Sequence, residues 1–190
     1  MKKCVVCFGL GLLTSLVPSG MATANGPYDQ LFLEGSELPP GLKAGEDRRS
    51  GAGDAADFKG DGATFVGFRV WNDAYKDKAG SVDRLVDARF VFKTENDATA
   101  FFSKRSVSLA EGVPVAPKAV TVGDESRAFS GVPAMFAQFG LDRTQVVYLV
   151  RQGRVVIKLY CSLGKAKVNG LEVLAPIAVR AATRVKAGGS

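Results

Sequence analysis

Histidine is absent from this chain of 190 residues. Histidine is the commonest general base in enzymes and a frequent zinc ligand, so its absence excludes a Ser-His-Asp triad, a Cys-His pair and His-containing zinc sites. The absence of histidine therefore excludes most hydrolase mechanisms. We therefore assign no catalytic residue from the sequence, and it predicts neither a metal site nor a cofactor.

Cysteine is scarce as well. Of three cysteines, Cys4 and Cys7 lie in the first few residues and only Cys161 lies in the body of the chain. A disulfide framework is therefore excluded. Cys161 is expected at an inward strand position, without a histidine or a cation to activate it. Such a thiol behaves as a small hydrophobic side chain.

Only one long apolar run is present, Cys4–Val17, and Gly, Thr and Ser residues interrupt it. Lys2 and Lys3 precede the run, and the small-residue triplet Ala22-Thr23-Ala24 follows it. This order is typical of a secretory signal peptide and favours cleavage after Ala24. We therefore expect an exported protein, periplasmic or extracellular. After the leader no apolar run is long enough to span a membrane.

Several chemical motifs are missing or incomplete. No Gly-rich phosphate loop follows a strand, which leaves nucleotide binding without support. Ser162 and Lys165 match the S-x-x-K spacing of serine enzymes, but the companion S-D-N and K-T-G motifs are absent, and a turn at the end of a strand is favoured. The acidic residues Asp54, Asp57 and Asp61 lack calcium-loop spacing. Asp124-Glu125 is expected in a turn.

Composition and turn residues predict the domain organisation. Hydrophobic residues make up 46% of the chain, enough for one core of ordinary size. Residues 25–62, after the signal peptide 1–24, are rich in Gly, Pro and Asp and read as a loop-rich N-terminal lead-in. Residues 63–190 are expected to form a single domain.

Alternating apolar residues predict a first hairpin from Thr64–Trp71 and Arg84–Lys93. Thr94 then begins a helix-start pattern that resembles a capping box, with Asp97 at the third position. The first unit is therefore strand, strand, helix.

The second unit repeats this order. Thr144–Arg151 and Arg154–Cys161 form a predicted hairpin with Gln152-Gly153 as its turn, and a helix follows from Asn169 to Val185. The two units together predict an α+β fold, with a mainly antiparallel β-sheet built from two ββα units and helices packed on one face.

Charge is distributed unevenly. Residues 140–190 hold nine basic and two acidic residues, a net charge of +7, whereas residues 25–139 carry −3. Such asymmetry favours attraction of an anionic component of the cell envelope. A soluble surface of high isoelectric point is the alternative interpretation.

The outward face of the two hairpins is the candidate binding surface. Aromatic and arginine side chains commonly anchor interfaces, and the proposed surface needs the two hairpins to be neighbours. Its residues are Phe65, Arg69, Trp71, Arg89, Arg151, Arg154, Lys158 and Tyr160. Long cationic side chains covering an apolar sheet are the structural alternative.

These features favour a noncatalytic exported domain that binds a ligand or protein partner in the cell envelope. The expected partner is an envelope protein or an anionic envelope component, with no role for nucleic acid. Two other classes stay open: a small secreted enzyme using carboxylate, Tyr or Ser-Lys chemistry, and a secreted inhibitor or accessory subunit.

Overall fold

A computed structural model describes residues 28–49, 61–73, 82–133, 137–138, 144–163 and 169–188. The predicted signal peptide lies outside the described residues, as do Asp54, Asp57 and Lys165.

In the described residues, six strands form one antiparallel sheet. They are β1 (Leu42–Arg49), β2 (Ala63–Asp73), β3 (Val82–Phe92), β4 (Glu125–Gly131), β5 (Thr144–Gln152) and β6 (Val155–Leu163). Their order across the sheet is β1-β2-β3-β6-β5-β4, so the two predicted hairpins lie side by side through β3 and β6. Helix α1 spans Glu95–Gly112 and helix α2 spans Gly170–Gly188. The predicted α+β class, with an antiparallel sheet and two ββα units, is confirmed.

Both helices begin next to the predicted residues, Thr94 and Asn169, and a side chain caps each start. The Thr94 hydroxyl accepts a hydrogen bond from the backbone N–H of Asp97 at 3.1 Å, which satisfies one of the free N–H groups in the first turn of α1. At the start of α2, Asn169 Oδ1 accepts from the N–H of Leu171 at 3.2 Å. Pro176 lies inside α2. Neither helix of the described chain is long and apolar enough to cross a membrane.

The β5–β6 hairpin differs from the prediction in its register. Gln152 pairs with Val155, so Gly153 and Arg154 form the turn in place of Gln152 and Gly153. Gly153 has a φ of 56°, the left-handed conformation that such a turn requires. The shift moves each pairing by two residues. Because side chains alternate with a period of two, the predicted division of β5 and β6 into two faces is unaffected.

The two helices pack on opposite faces of the sheet, whereas the sequence predicted both on one face. Helix α2 covers the face that carries Val146, Tyr148, Ile157, Leu159 and Cys161, which we call the α2 face. Helix α1 covers the other side, the α1 face, where Phe101 and Phe102 pack on the strand residues Phe90, Phe129, Val147, Leu149 and Val156. Both faces of β5 and β6 are apolar. Each face is therefore buried away from water only if a separate element packs on it.

The described part of the lead-in packs into the same core. Residues 28–38, which we call the N-terminal strap, form two short 3-10 turns, Asp29–Leu31 and Gly35–Glu37. Leu31, Phe32 and Leu33 are almost completely buried, and Leu31 and Leu33 join the core on the α2 face. Strand β1 follows and pairs with β2 at the edge of the sheet. Residues 28–49 thus belong to the sheet and core that the rest of the chain builds.

Candidate functional site

Strand register separates the predicted binding residues into two groups. Arg89 pairs with Ile157, whose side chain lies on the α2 face, whereas Lys158 pairs with Ala88 on the α1 face. The first hairpin's residues Phe65, Arg69, Trp71 and Arg89 therefore share the α2 face, and Arg151, Lys158 and Tyr160 share the α1 face. Arg154 lies in the β5–β6 turn. The prediction that these residues share one outward face is wrong. The hairpins are neighbours, but their registers place the two sets on opposite sides of the sheet.

The group on the α2 face lies beneath the N-terminal strap. The Nη1 atom of Arg69 donates to the carbonyl of Leu33 at 3.0 Å, and its guanidinium lies 5.2 Å from the centre of the Phe32 ring. Trp71 is 7% exposed. Gly67 leaves room for Phe32 to approach the sheet, because a Cβ at Gly67 would lie 3.0 Å from the end of the Phe32 ring. These side chains hold the strap in place.

Arg89 has a buried partner on its own strand. Arg89 Nη2 donates a hydrogen bond to Asp87 Oδ2 at 2.9 Å, Arg89 Nε lies 2.8 Å from Asp87 Oδ1 as an ion-pair contact, and both side chains are fully buried. Asp87 Oδ2 also accepts from the N–H of Leu33 at 3.0 Å. Burial holds the pKa of Arg89 below its ordinary value, and the charge of Asp87 and its hydrogen bond offset only part of this effect. The pair joins the sheet to the strap.

Arg151 is held by the two carboxylates that the sequence singled out in a turn. Its Nε atom lies 2.8 Å from Glu125 Oε1, and its Nη1 atom lies 3.3 Å from Asp124 Oδ2. Asp124 also accepts hydrogen bonds from the side-chain amide of Gln152 at 3.0 Å and from the N–H of Gly153 at 2.7 Å. Asp124 and Glu125 thus fix the β5–β6 turn against the start of β4.

Two further candidate nucleophiles lie within strand β6. Cys161 is fully buried, and burial raises the pKa of its thiol to about 12, as expected for a thiol that packs as a hydrophobic side chain. Ser162 is 7% exposed and lies inside β6, which continues to Leu163. The serine of the S-x-x-K spacing therefore lies within a strand.

Lys158 and Tyr160 are half-buried on the α1 face. Burial lowers the pKa of Lys158, and the nearby positive charge of Arg105 on α1 lowers it further. Tyr160 packs against the apolar cluster of α1. Both side chains cover the sheet beside α1.

Arg154, one of the predicted binding residues, lines a cavity. The cavity has a volume of about 310 Å³ and lies at the end of the sheet, where β3 ends and β6 begins. Lys93 follows β3, Arg154 lies in the β5–β6 turn, and Lys186 lies near the end of α2, so three separate elements contribute cations. Val155 and Val185 supply buried apolar walls, and Glu95 at the start of α1 supplies a carboxylate.

The three cations of this cavity are exposed, and Glu95 is the acidic residue among the described residues that line it. Across the described ranges, none of the ion pairs includes Lys93, Arg154 or Lys186. The same ranges contain no group of three or more Cys, Asp or Glu residues that could hold a metal ion. Lys93 and Lys186 were absent from the predicted site. The only signal for Lys186 was the excess of basic residues toward the C-terminus.

The fold and the cavity define an α+β domain whose antiparallel sheet lies between two helices and carries a basic cavity at one end. No protein-family model matches the chain, and no curated protein matches it. Among solved structures, the chain is similar to the extracellular domain of PknH from Mycobacterium tuberculosis. The TM-score is 0.49 and the sequence identity 14%, over 81% of this chain and 93% of that chain.

Proposed function

We propose that the chain is an exported, noncatalytic domain that binds an anionic ligand of the cell envelope in the cavity at the end of the sheet. The observation that carries the proposal is the convergence of Lys93, Arg154 and Lys186 from three different elements on one cavity. The leader sequence supports export, because it combines a positive start, an apolar run and a small-residue cleavage triplet.

The charge of the cavity favours an anion over other ligands. Neighbouring like charges repel, and within the described part of the chain no ion pair neutralises the three cations. A bound carboxylate or phosphate group relieves this repulsion and accepts hydrogen bonds from the arginine and the lysines. The excess positive charge of the C-terminal third also attracts anions over longer distances.

Binding is favoured over catalysis because the reactive groups that the sequence offered are engaged elsewhere. Asp124 and Glu125 pair with Arg151 and hold a turn. Cys161 is buried with a raised pKa. The cavity itself is lined by groups suited to holding charge, with Val155 and Val185 against the body of a ligand.

The test measures binding of glutarate and of inorganic phosphate to the chain beginning at Asn25, by following backbone amide shifts at Gly153 and Val155. The triple variant Lys93→Gln/Arg154→Gln/Lys186→Gln is expected to weaken binding about tenfold or more, since each exposed charge contributes up to about 1 kcal/mol and 1.4 kcal/mol corresponds to tenfold.

The matched control removes the same charge elsewhere, through Lys43→Gln/Lys118→Gln/Arg127→Gln, three exposed cations outside the cavity. It is expected to bind almost as tightly as the unmodified chain. Equal weakening in both variants would mean that net charge alone attracts the anion, and the cavity would be rejected as the site.

A further inference from the structure

Glu95 is a carboxylate among the cations of the cavity. It is the first residue of α1, directly after the Thr94 cap, and its Oε1 atom lies 3.9 Å from the position that a Cβ would take at Gly153. Glu95 is exposed and, within the described residues, belongs to no ion pair. A cavity built only to hold a simple anion gains nothing from this carboxylate, which repels the ligand.

The charges of the cavity specify the charges of a complementary ligand. Lys93, Arg154 and Lys186 match two anionic groups, since the guanidinium can hold a carboxylate through two hydrogen bonds. Glu95 matches one ammonium group. A ligand with two carboxylates and one ammonium therefore pairs with every charged side chain of the cavity.

Size and apolar surface restrict the ligand further. A volume of about 310 Å³ is at the lower end for ligand cavities, which indicates a small molecule. Val155 and Val185 line the cavity and are each 3% exposed, so they offer a small apolar surface that suits a short methylene chain. Two carboxylates, one ammonium and a short methylene chain are the parts of an acidic α-amino acid.

We infer that the cavity recognises an acidic α-amino acid, with Glu95 as the residue that selects for the ammonium group. This inference rests on the proposed anion-binding function and names its ligand class. The two carboxylates lie among Lys93, Arg154 and Lys186, the ammonium lies at Glu95, and the methylenes lie against the two valines.

Three five-carbon probes separate these contributions. L-glutamate carries all three charged groups, glutarate lacks the ammonium, and L-norvaline lacks the side-chain carboxylate. With the chain beginning at Asn25, binding is measured from the amide shifts of Gly153 and Val155. Glutamate is expected to bind about three- to tenfold more tightly than either of the other two, the range for one charged contact at a partly exposed site.

The variant Glu95→Gln tests the selecting residue. It keeps the shape of the side chain and removes its charge, so the preference for glutamate over glutarate is expected to fall to about one, while glutarate binds more tightly than before. Glu111→Gln, at the other end of the same helix, is the matched control and is expected to keep the full preference.

The outcomes distinguish this inference from the function on which it rests. If glutarate binds the unmodified chain as tightly as glutamate does, or if Glu95→Gln keeps the preference, recognition of the ammonium is overturned while the anion site stands. If norvaline equals glutamate, the requirement for two carboxylates is overturned. If no probe binds, or if the triple cation variant binds each probe as the unmodified chain does, both proposals fail.

Discussion

Arg89 is a charged residue that is fully buried, and its burial restricts which groups can lie next to it. A buried guanidinium loses its hydration, and it persists only where a partner compensates for that loss. Asp87 provides two contacts to it, and the N–H of Leu33 in turn donates to Asp87. The charged pair and the N-terminal strap therefore depend on each other.

We predict that Asp87→Asn destabilises the protein by about 3 kcal/mol or more, because it leaves the charge of Arg89 buried without a counterion. Urea unfolding followed by circular dichroism measures this loss. Asp83→Asn, on the same strand and partly exposed, is the control and is expected to change stability by less than about 0.5 kcal/mol.

The double variant Asp87→Asn/Arg89→Met separates the pair from its single members. It removes both charges and keeps a polar atom for the N–H of Leu33, so it is expected to be more stable than Asp87→Asn alone. A double variant that is less stable than the single one would contradict this account of Arg89.

Arg89 was predicted to belong to a binding surface because of the alternation of side chains along β3. Alternation along β3 correctly separated Asp87 and Arg89 from Phe90 and Phe92, but alternation states which residues share a face and not what covers that face. The strap that covers it comes from a segment rich in Gly and Pro. The sequence did contain a signal for this buried pair: the opposite charges of Asp87 and Arg89 lie two residues apart on one strand.

At the scale of elements, an ion pair fastens the strap to α2. Arg184 Nε lies 2.7 Å from a carboxylate oxygen of Glu37, and Arg184 Nη2 lies 3.3 Å from Glu34. Partial burial alone raises the pKa of Glu37. Hydrogen bonds from Arg184 and from the N–H of Glu34, with the charges of Arg184 and Arg180, outweigh it and hold that pKa below its ordinary value of 4.5.

The sign of this shift predicts an effect of acid. Because the pKa of Glu37 is lower in the folded state, its ion pair stabilises the protein above pH 4.5, and that stability is lost as the pH falls through the folded-state pKa. The contribution is expected to be below about 1 kcal/mol, since Glu37 and Arg184 are both partly exposed. The loss is measured as the change in urea midpoint between about pH 6 and about pH 3.

Glu37→Gln supplies the comparison, because many other carboxylates titrate over the same range. The variant is expected to be less stable than the unmodified chain at about pH 6 and nearly equal to it at about pH 3. If the difference between the two proteins stays constant with pH, the pair of Glu37 and Arg184 does not carry the effect.

Local signals explain which elements the sequence predicted well. The caps at Thr94 and Asn169 and the glycine of the β5–β6 turn are properties of a few adjacent residues, so both helices and that hairpin could be read directly. The side on which each helix packs, and the cavity formed by Lys93, Glu95, Arg154 and Lys186, could not. These residues come from distant parts of the chain and meet only through the sheet order.

At the scale of the whole molecule, one sheet supplies both cores. Strands β3, β5 and β6 present apolar side chains to α1 on one side and to α2 and the strap on the other. Neither core can be lost while the other stays covered, since unfolding the shared strands exposes both. The described cores are therefore expected to unfold together.

The single tryptophan allows this expectation to be tested, because Trp71 is buried on the α2 face while Phe102 is buried on the α1 face. Phe102→Ala leaves a cavity on the α1 face and is expected to lower stability by about 3–5 kcal/mol. Val107→Ala, at a position 61% exposed on the same helix, is the control and is expected to change little. Tryptophan fluorescence and circular dichroism should report the same lowered urea midpoint in Phe102→Ala. If the fluorescence midpoint stays at its original value while the circular dichroism midpoint falls, the two faces unfold separately and the sheet does not couple them.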